Sequence, residues 1–565
     1  MLVVWRSRWE KNGKLAASTS SKQSTWLGLI LTSVGFWLLP NMVITNSTVA
    51  AEKIYFSYGA IERSISVDAL EAYAKEGTLD DSLATYTDYI SPQRLQQLRR
   101  VLLTRIQLSP VAVSQFLYTP IGETLLARVG QVIQTEARQP SFYALRAALI
   151  LAAADPEGLS PLNVLEKFPT RGMRIDLARS LQIADELETL INQTRQAIAL
   201  VSNQSTTAAT KQQVNFSQLP DLQRRGLFRW NMQTLQLIDR RRNRSFLADI
   251  YLPRVTEPAP VIVISHGLGS SRNSFAYLAQ QLATYGFAVA VPEHPGSNAE
   301  QLASLFSGRA NQVAQPNEFV NRPLDITYLL DELQRLDASN WEFQLNLQQV
   351  GVIGQSLGGY TALALAGARL NFDQLQIDCK DSNQIWNVSL LLQCLGLQLP
   401  TVQYNLQDER IKAAIAINPI TSSIFGQAGL SQIQLPVMIV SSSADTIAPA
   451  LLEQIQPFSW LTATQKYLVL IERATHFSTI GESKPNQNSI EVPSGLIGPN
   501  PAIARRYISA LSVAFCQTYL AGKTQYRFYL SPSYAQAINQ APLNISLVQS
   551  LPTNLLSERH SLLIF

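Results

Sequence analysis

The chain reads as an α/β protein, a mostly parallel, doubly wound sheet preceded by a small all-α domain. Three patterns lead there. From Trp230 onward, short and wholly apolar runs such as Val261–Ile264 alternate with amphipathic stretches, as expected of strands buried on both faces with helices between them. From Glu52 to about Ser202, apolar residues instead recur at helical spacing. Between the two lies the polar stretch Asn203–Lys211, without apolar periodicity, which reads as part of a linker over 203–216. A length of 565 residues with 46% hydrophobic and 15% charged content supports two cores and excludes a disordered chain.

The first fifty residues form a separate element. Arg6, Arg8, Lys11, Lys14 and Lys22 precede an apolar run from Trp26 to Leu39, followed by Asn46, Ser47 and Thr48 and then the small residues Val49, Ala50 and Ala51. This order is that of a secretory signal over 1–51, cut near Ala51, with an uncleaved membrane anchor as the alternative. An exported protein in a periplasm, a thylakoid lumen or the extracellular space is expected. Residues 1–51 carry five Lys or Arg against one Glu, which matches the whole-chain net charge of +4. The remainder is near neutral, so no basic face for nucleic acid is expected. Of three cysteines, Cys379 and Cys394 are close enough in sequence to pair, or both are free thiols.

The region 52–202 predicts four to six helices. Three starts are written as serine followed by proline, at Ser91-Pro92, Ser109-Pro110 and Ser160-Pro161, a capping hydroxyl before a residue suited to the first helical position. Leu95, Leu98, Leu102 and Ile106 form one apolar stripe, and Leu145, Ala148, Leu149 and Ala152 another. The segment contains no histidine, so it reads as a cap, a substrate-docking or partner-binding element, or a stabilising appendage rather than a reaction centre.

The region 217–565 opens with a hairpin, Trp230 to Leu252, turning over Arg240–Arg244. A strand at Val261–Ile264 follows, then a helix near Ser274–Tyr285, a strand at Phe287–Val291, a helix near Pro323–Leu336 and a strand at Val350–Ile353. Three more apolar strands are expected at Ala413–Ile417, Pro436–Val440 and Tyr467–Ile471. Such alternation places chemistry at the carboxyl ends of the strands. Insertions are expected near 297–320 and 371–407. The second carries Ile385, Trp386, Leu390, Leu391 and Leu392, which suit either a lipid-contacting cover or an ordinary core.

The densest signal is Gly354-Gln355-Ser356-Leu357-Gly358, between the strand ending at Ile353 and a helical segment Tyr360–Leu370. Glycines flank a serine where a sharp strand-to-helix turn lifts the hydroxyl above a sheet. A serine hydroxyl needs a base. Of four histidines, His476 directly follows a strand and is the last before the C-terminal helices, while His266 and His294 occupy earlier loops and His560 the tail. Asp445, just after the strand Pro436–Val440, is the expected orienting acid; Glu472 is its competitor, and Asp408 is more remote. The backbone N–H groups of Leu268 and Leu357 are the expected donors to an oxyanion, where the loss of one donor costs about 3 to 4 kcal/mol. His266 reads as a brace of the loop Ser265–Gly269 rather than a catalytic group.

These residues carry a resemblance. Ser265-His266-Gly267-Leu268-Gly269, the segment Gly286–His294, the serine turn, and the Asp445 and His476 segments resemble the platelet-activating-factor acetylhydrolase group, also described as dienelactone-hydrolase-like, over roughly residues 225–480. The resemblance implies an α/β-hydrolase fold and a calcium-independent serine esterase or lipase acting on short or modified acyl chains, with oxyanion amides at Leu268 and Leu357. Two departures stand out. Gln355 occupies a position where many members carry histidine, and dienelactone hydrolases proper use cysteine where this chain has Ser356. The segment from Ala51 to about Ile198, opening Ile54–Gly59, resembles an uncharacterised domain attached to such hydrolases in cyanobacteria.

The expected activity is therefore hydrolysis of small-molecule or lipid esters by Ser356, His476 and Asp445 through an acyl-enzyme. A catalytically silent binding or envelope protein, or an amide or peptide hydrolase, would use the same parts. No cofactor is expected, and four scattered histidines do not suggest a metal site. Gly522-Lys523-Thr524 lacks the glycine of a phosphate loop five residues earlier, where Gln517 stands. Peripheral contact with lipid and a protein partner for the helical region are the remaining partner expectations.

Overall fold

The computed structural model describes residues 50–87, 90–211, 214–338, 344–380, 387–481 and 494–552. The expected signal segment, Ile385, Trp386 and His560 lie outside the described residues. The described residues all belong to one compact unit.

The N-terminal region differs from the all-α expectation. Beside its helices it contains a four-stranded sheet. The strands are β1 (Lys53–Tyr58), β2 (Ile61–Ser66), β3 (Ile133–Thr135) and β4 (Gly172–Asp176), in the order β2-β1-β4-β3. They are short, and β1 pairs with β4 across more than a hundred residues, so no local window exposes the sheet. The helix starts follow local chemistry. Ser91, Ser109 and Ser160 each accept from the backbone N–H three residues on, and Asn163 returns the bond to Ser160 N. Leu95 and Leu102 face the core, but that helix ends at Leu103, and Ile106 is 47% exposed in an isolated bridge to Leu159.

The expected linker is also corrected. Leu177–Lys211 is a single 35-residue helix that carries the polar stretch at its end. Ala197, Val201, Ser205 and Ala209 are buried at four-residue spacing. The Ser205 hydroxyl accepts from Leu547 N at 3.0 Å, and Ser533 Oγ donates to Ala209 O at 3.2 Å. Small residues give almost no hydrophobic signal, yet they let a helix lie close to the sheet edge.

The second region is built on a nine-stranded sheet. Its strands are β5 (Trp230–Asp239), β6 (Arg244–Pro253), β7 (Ala259–Ser265), β8 (Ala288–Pro292), β9 (Leu345–Gln355), β10 (Ile411–Ile417), β11 (Val437–Ser442), β12 (Lys466–Ile471) and β13 (Ile545–Val548). Their order is β13-β12-β11-β10-β9-β7-β8-β6-β5, parallel from β8 through β12 and antiparallel at both ends. The apolar runs read from the sequence are its buried central strands, and two cores flank the sheet. The expected helix near Pro323 begins earlier, spanning Glu318–Ala338 with Pro323 inside it. Proline has no N–H for the Phe319 carbonyl, and the buried Tyr360 hydroxyl donates to that oxygen at 2.7 Å.

Both insertions fold onto the N-terminal region. The helix Ala299–Phe306 packs against Pro110–Leu117, and Val388–Gln393 touches Pro120–Val132. Cys379 and Cys394 are joined in a disulfide with a Cα–Cα distance of 5.8 Å, which resolves the open alternative; Cys516 is a buried free thiol. Leu390, Leu391 and Leu392 are buried.

Candidate active site

The strand β9 ends at Gln355, and the next residue, Ser356, adopts φ 56° and ψ −119° before the helix Leu357–Leu365 begins. A non-glycine residue in such a conformation stores strain that the surrounding structure must offset. The glycines on either side explain how the turn fits: a Cβ at Gly354 would come within 1.9 Å of Gly358 O, and one at Gly358 within 2.0 Å of Ser265 O. The serine turn is thus pressed against the end of β7, and Ser356 N donates to Ile417 O of β10 at 2.9 Å.

His476 and Asp445 lie on loops that follow β12 and β11. His476 Nδ1 and Asp445 Oδ2 are 2.7 Å apart. The other Asp445 oxygen accepts from Ile447 N and Ala448 N, each at 2.8 Å. Both side chains are buried, as is Ser356, which is 6% exposed. Two amides hold the histidine loop, one from the serine turn and one from the end of β10: Gln355 Nε2 donates to His476 O at 3.2 Å, and Asn418 Nδ2 to the same oxygen at 3.4 Å. Gln355 thus anchors the histidine loop from the position just before Ser356. Among the described residues no hydrogen bond joins the Ser356 hydroxyl to the His476 ring.

The competing acids lie elsewhere. Asp408 binds Arg410 in a bidentate pair, and Glu472 lines a polar cleft with Ser202, Ser205 and Asn544 on the side of the long helix. Leu268 belongs to the loop after β7, and an ideal Cβ on Gly267 would lie 3.3 Å from Ser356 Cβ. Among the described residues neither Leu268 N nor Leu357 N has a hydrogen-bond acceptor.

A nine-stranded, mostly parallel sheet with a strained serine turn after β9 and an acid–histidine pair after β11 and β12 decides the fold. The chain has the α/β-hydrolase fold. Residues 249–322 match the family model for platelet-activating factor acetylhydrolase, isoform II. Residues 50–176, the N-terminal region, match one described as alpha/beta hydrolase of unknown function (DUF1400). The chain is also 23% identical over 291 residues to cutinase 2 of Thermobifida cellulosilytica, covering 50% of this chain and 77% of that protein. Cutinases of Thermobifida fusca and Thermobifida alba align over the same share of this chain at 23% identity, covering 63% and 68% of their own lengths.

Two features around the site were not read from the sequence. The first is Glu453, fully buried in the π-helical segment Leu451–Ile455. Its Oε1 accepts from Asn387 Nδ2, Ser389 Oγ, Gln393 Nε2 and Ser422 Oγ, and its Oε2 from Thr421 N and Ser422 N. One carboxylate thus ties the second insertion to the loop after β10. The second feature is a buried layer of ionic groups beneath the loop after β7. Asp325 accepts from Arg242 and Arg244 and faces His294, whose other ring nitrogen faces Ser265 Oγ. The arginine-rich turn at 240–244 was the available sequence signal for it.

Proposed function

We propose that this chain is an exported serine esterase that hydrolyses carboxylic esters of short-chain, lipid or modified acyl groups. Ser356 Oγ attacks the ester carbonyl while His476 Nε2 takes its proton, and the new oxyanion is held by Leu268 N–H and Leu357 N–H. As the carbonyl re-forms, the ester C–O bond breaks and His476 returns the proton to the leaving alcohol. Water then attacks the acyl-enzyme, giving its proton to His476; Ser356 Oγ leaves with a proton and the carboxylic acid departs. Asp445 keeps the proton of neutral His476 on Nδ1 and balances the charge of the imidazolium.

The observation that carries the reading is the 2.7 Å Asp445–His476 contact on a loop tethered to the turn of a serine at positive φ. The names of the similar proteins, cutinases and a platelet-activating factor acetylhydrolase, point to ester rather than amide cleavage. Export is supported by the Cys379–Cys394 disulfide, a bond that persists in oxidising compartments. Among the described residues no helix is long and apolar enough to cross a membrane.

A fluorophosphonate probe labels an activated serine covalently. Wild type is expected to take up the probe and to cleave p-nitrophenyl esters of graded chain length, while Ser356→Ala does neither. Equal labelling of the two proteins would defeat the assignment, and a labelled wild type inert toward every ester would remove the esterase reading.

A further inference from the structure

The peptide joining Gly267 to Leu268 is planar, so the direction of its carbonyl sets the direction of its N–H. In a trans peptide the two point opposite ways, and whatever holds Gly267 O therefore aims Leu268 N–H. His266 Nδ1 lies 2.8 Å from Gly267 O. His294 N, 3.1 Å from His266 Nε2, is a donor, so Nε2 must be the unprotonated nitrogen and Nδ1 must carry the proton. Arg322 Nη2 lies 3.2 Å from Nδ1 and 2.5 Å from His266 O. Because Nδ1–H cannot accept, the guanidinium hydrogen bond goes to the carbonyl.

We propose that His266 is a positioning residue for the oxyanion hole, holding the 267–268 peptide so that Leu268 N–H faces the reacting carbonyl, with Arg322 and His294 fixing His266 itself. This rests on the esterase reading above. Three features favour it over a simple fold-stabilising role. His266, His294 and Arg322 are all completely buried, and burial together with Arg322 lowers the His266 pKa to about 3, so one neutral tautomer persists. The hydrogen-bond contacts of the fully buried Arg322 among the described residues run to His266 alone. The third feature is the support behind His294: Asp325 Oδ2 lies 3.0 Å from Nδ1 and Ser265 Oγ 3.0 Å from Nε2. This serine, histidine and aspartate repeat the residue types of the candidate triad, but each is completely buried, so the set orients its neighbours rather than a substrate.

The test uses the full chain with a p-nitrophenyl ester. His266→Phe keeps the ring and removes both nitrogens, whereas the His266→Asn amide N–H falls near the Nδ1 position. His266→Phe is expected to lower kcat about 10²-fold with KM within about twofold, and His266→Asn to recover about tenfold of that loss. The inhibition constant of a trifluoromethyl ketone, whose hemiketal oxyanion uses the same donors, should rise by the factor that kcat falls. Fluorophosphonate labelling counts competent sites, so lost fold is separated from lost positioning. Unchanged kcat and ketone affinity in labelled His266→Phe would overturn the proposal, as would His266→Asn no better than His266→Phe. Should His266→Phe not accumulate, His266→Gln, an acceptor near the Nε2 position, replaces it; activity equal to that of His266→Asn would overturn the proposal. A wild type that cleaves no ester overturns the esterase reading instead, a different result.

Discussion

Replacing Asp445 by Asn should remove catalysis and leave the fold. Asp445 Oδ1 holds its own loop through Ile447 N and Ala448 N at 2.8 Å, and an asparagine oxygen accepts the same two bonds. The change falls on the other side, 2.7 Å from His476 Nδ1. There an amide N–H donates where a carboxylate accepted, so the imidazole must move its proton to Nε2. A protonated Nε2 cannot take the serine proton, and a tautomer error of this kind costs about 10⁴ in kcat. At 1.36 kcal/mol per tenfold this is about 5 kcal/mol of transition-state stabilisation. KM should stay within about threefold, and because both loop bonds persist, stability should change by less than about 1 kcal/mol. Initial rates on a p-nitrophenyl ester, with urea unfolding in parallel, read both quantities, and Glu472→Gln serves as the control with near-wild-type kcat. An Asp445→Asn variant that keeps more than a tenth of wild-type kcat, or a Glu472→Gln that loses it, would refute the reasoning.

Two further outcomes follow from the buried ionic groups. Glu453→Gln turns an amide N–H toward a site of six donors; with the amide nitrogen in place of Oε2, Thr421 N and Ser422 N lose their acceptor, at about 1 to 3 kcal/mol each. Urea unfolding should show a loss of about 2 to 6 kcal/mol, and a loss below about 1 would mean the cluster relaxes freely. Stability should also fall on acidification below about pH 6.5, the ordinary histidine value. Burial holds the His266 pKa to about 3 and lowers that of His294, so the unfolded chain binds two protons the folded one does not; burial raises Asp325 to about 6, which offsets one of them between its ordinary value and 6. The remaining net proton gives about 1.4 kcal/mol per pH unit. The titratable groups facing His266 are Arg322, the His294 ring at 5.1 Å between centroids and, at 3.6 Å from Nε2, Glu293. Thermal melts from pH 7.5 to 5 should show a shallower slope for His266→Asn, and equal slopes would exclude His266 as a source.

The central strands β7 to β12 were legible because each carries a short apolar run, and burial on both faces permits little else, whereas the four-residue edge strand β13 was not expected. The serine turn was legible because its flanking glycines are demanded by close backbone approach at Gly358 O and Ser265 O, a constraint that leaves its mark within five residues. The N-terminal sheet was not, since β1 and β4 are short strands whose pairing partners lie far apart along the chain. The helix through 203–211 was read as a linker because its buried stripe, Ala197, Val201, Ser205 and Ala209, is written in small residues. Glu453 and Arg322 were passed over for a similar reason: a buried charge is identical in sequence to an exposed one, and only its neighbours tell them apart.

The sequence by itself determined the central sheet and the serine turn and singled out His476 and Asp445 as candidates, because these follow from patterns confined to a strand and the loop after it. Only the tertiary structure decided that Cys379 meets Cys394, that Glu472 turns to the long helix, and that His266 takes one tautomer beneath the serine. Those facts depend on which distant groups share a buried volume, where each donor must find an acceptor and each charge a counterpart.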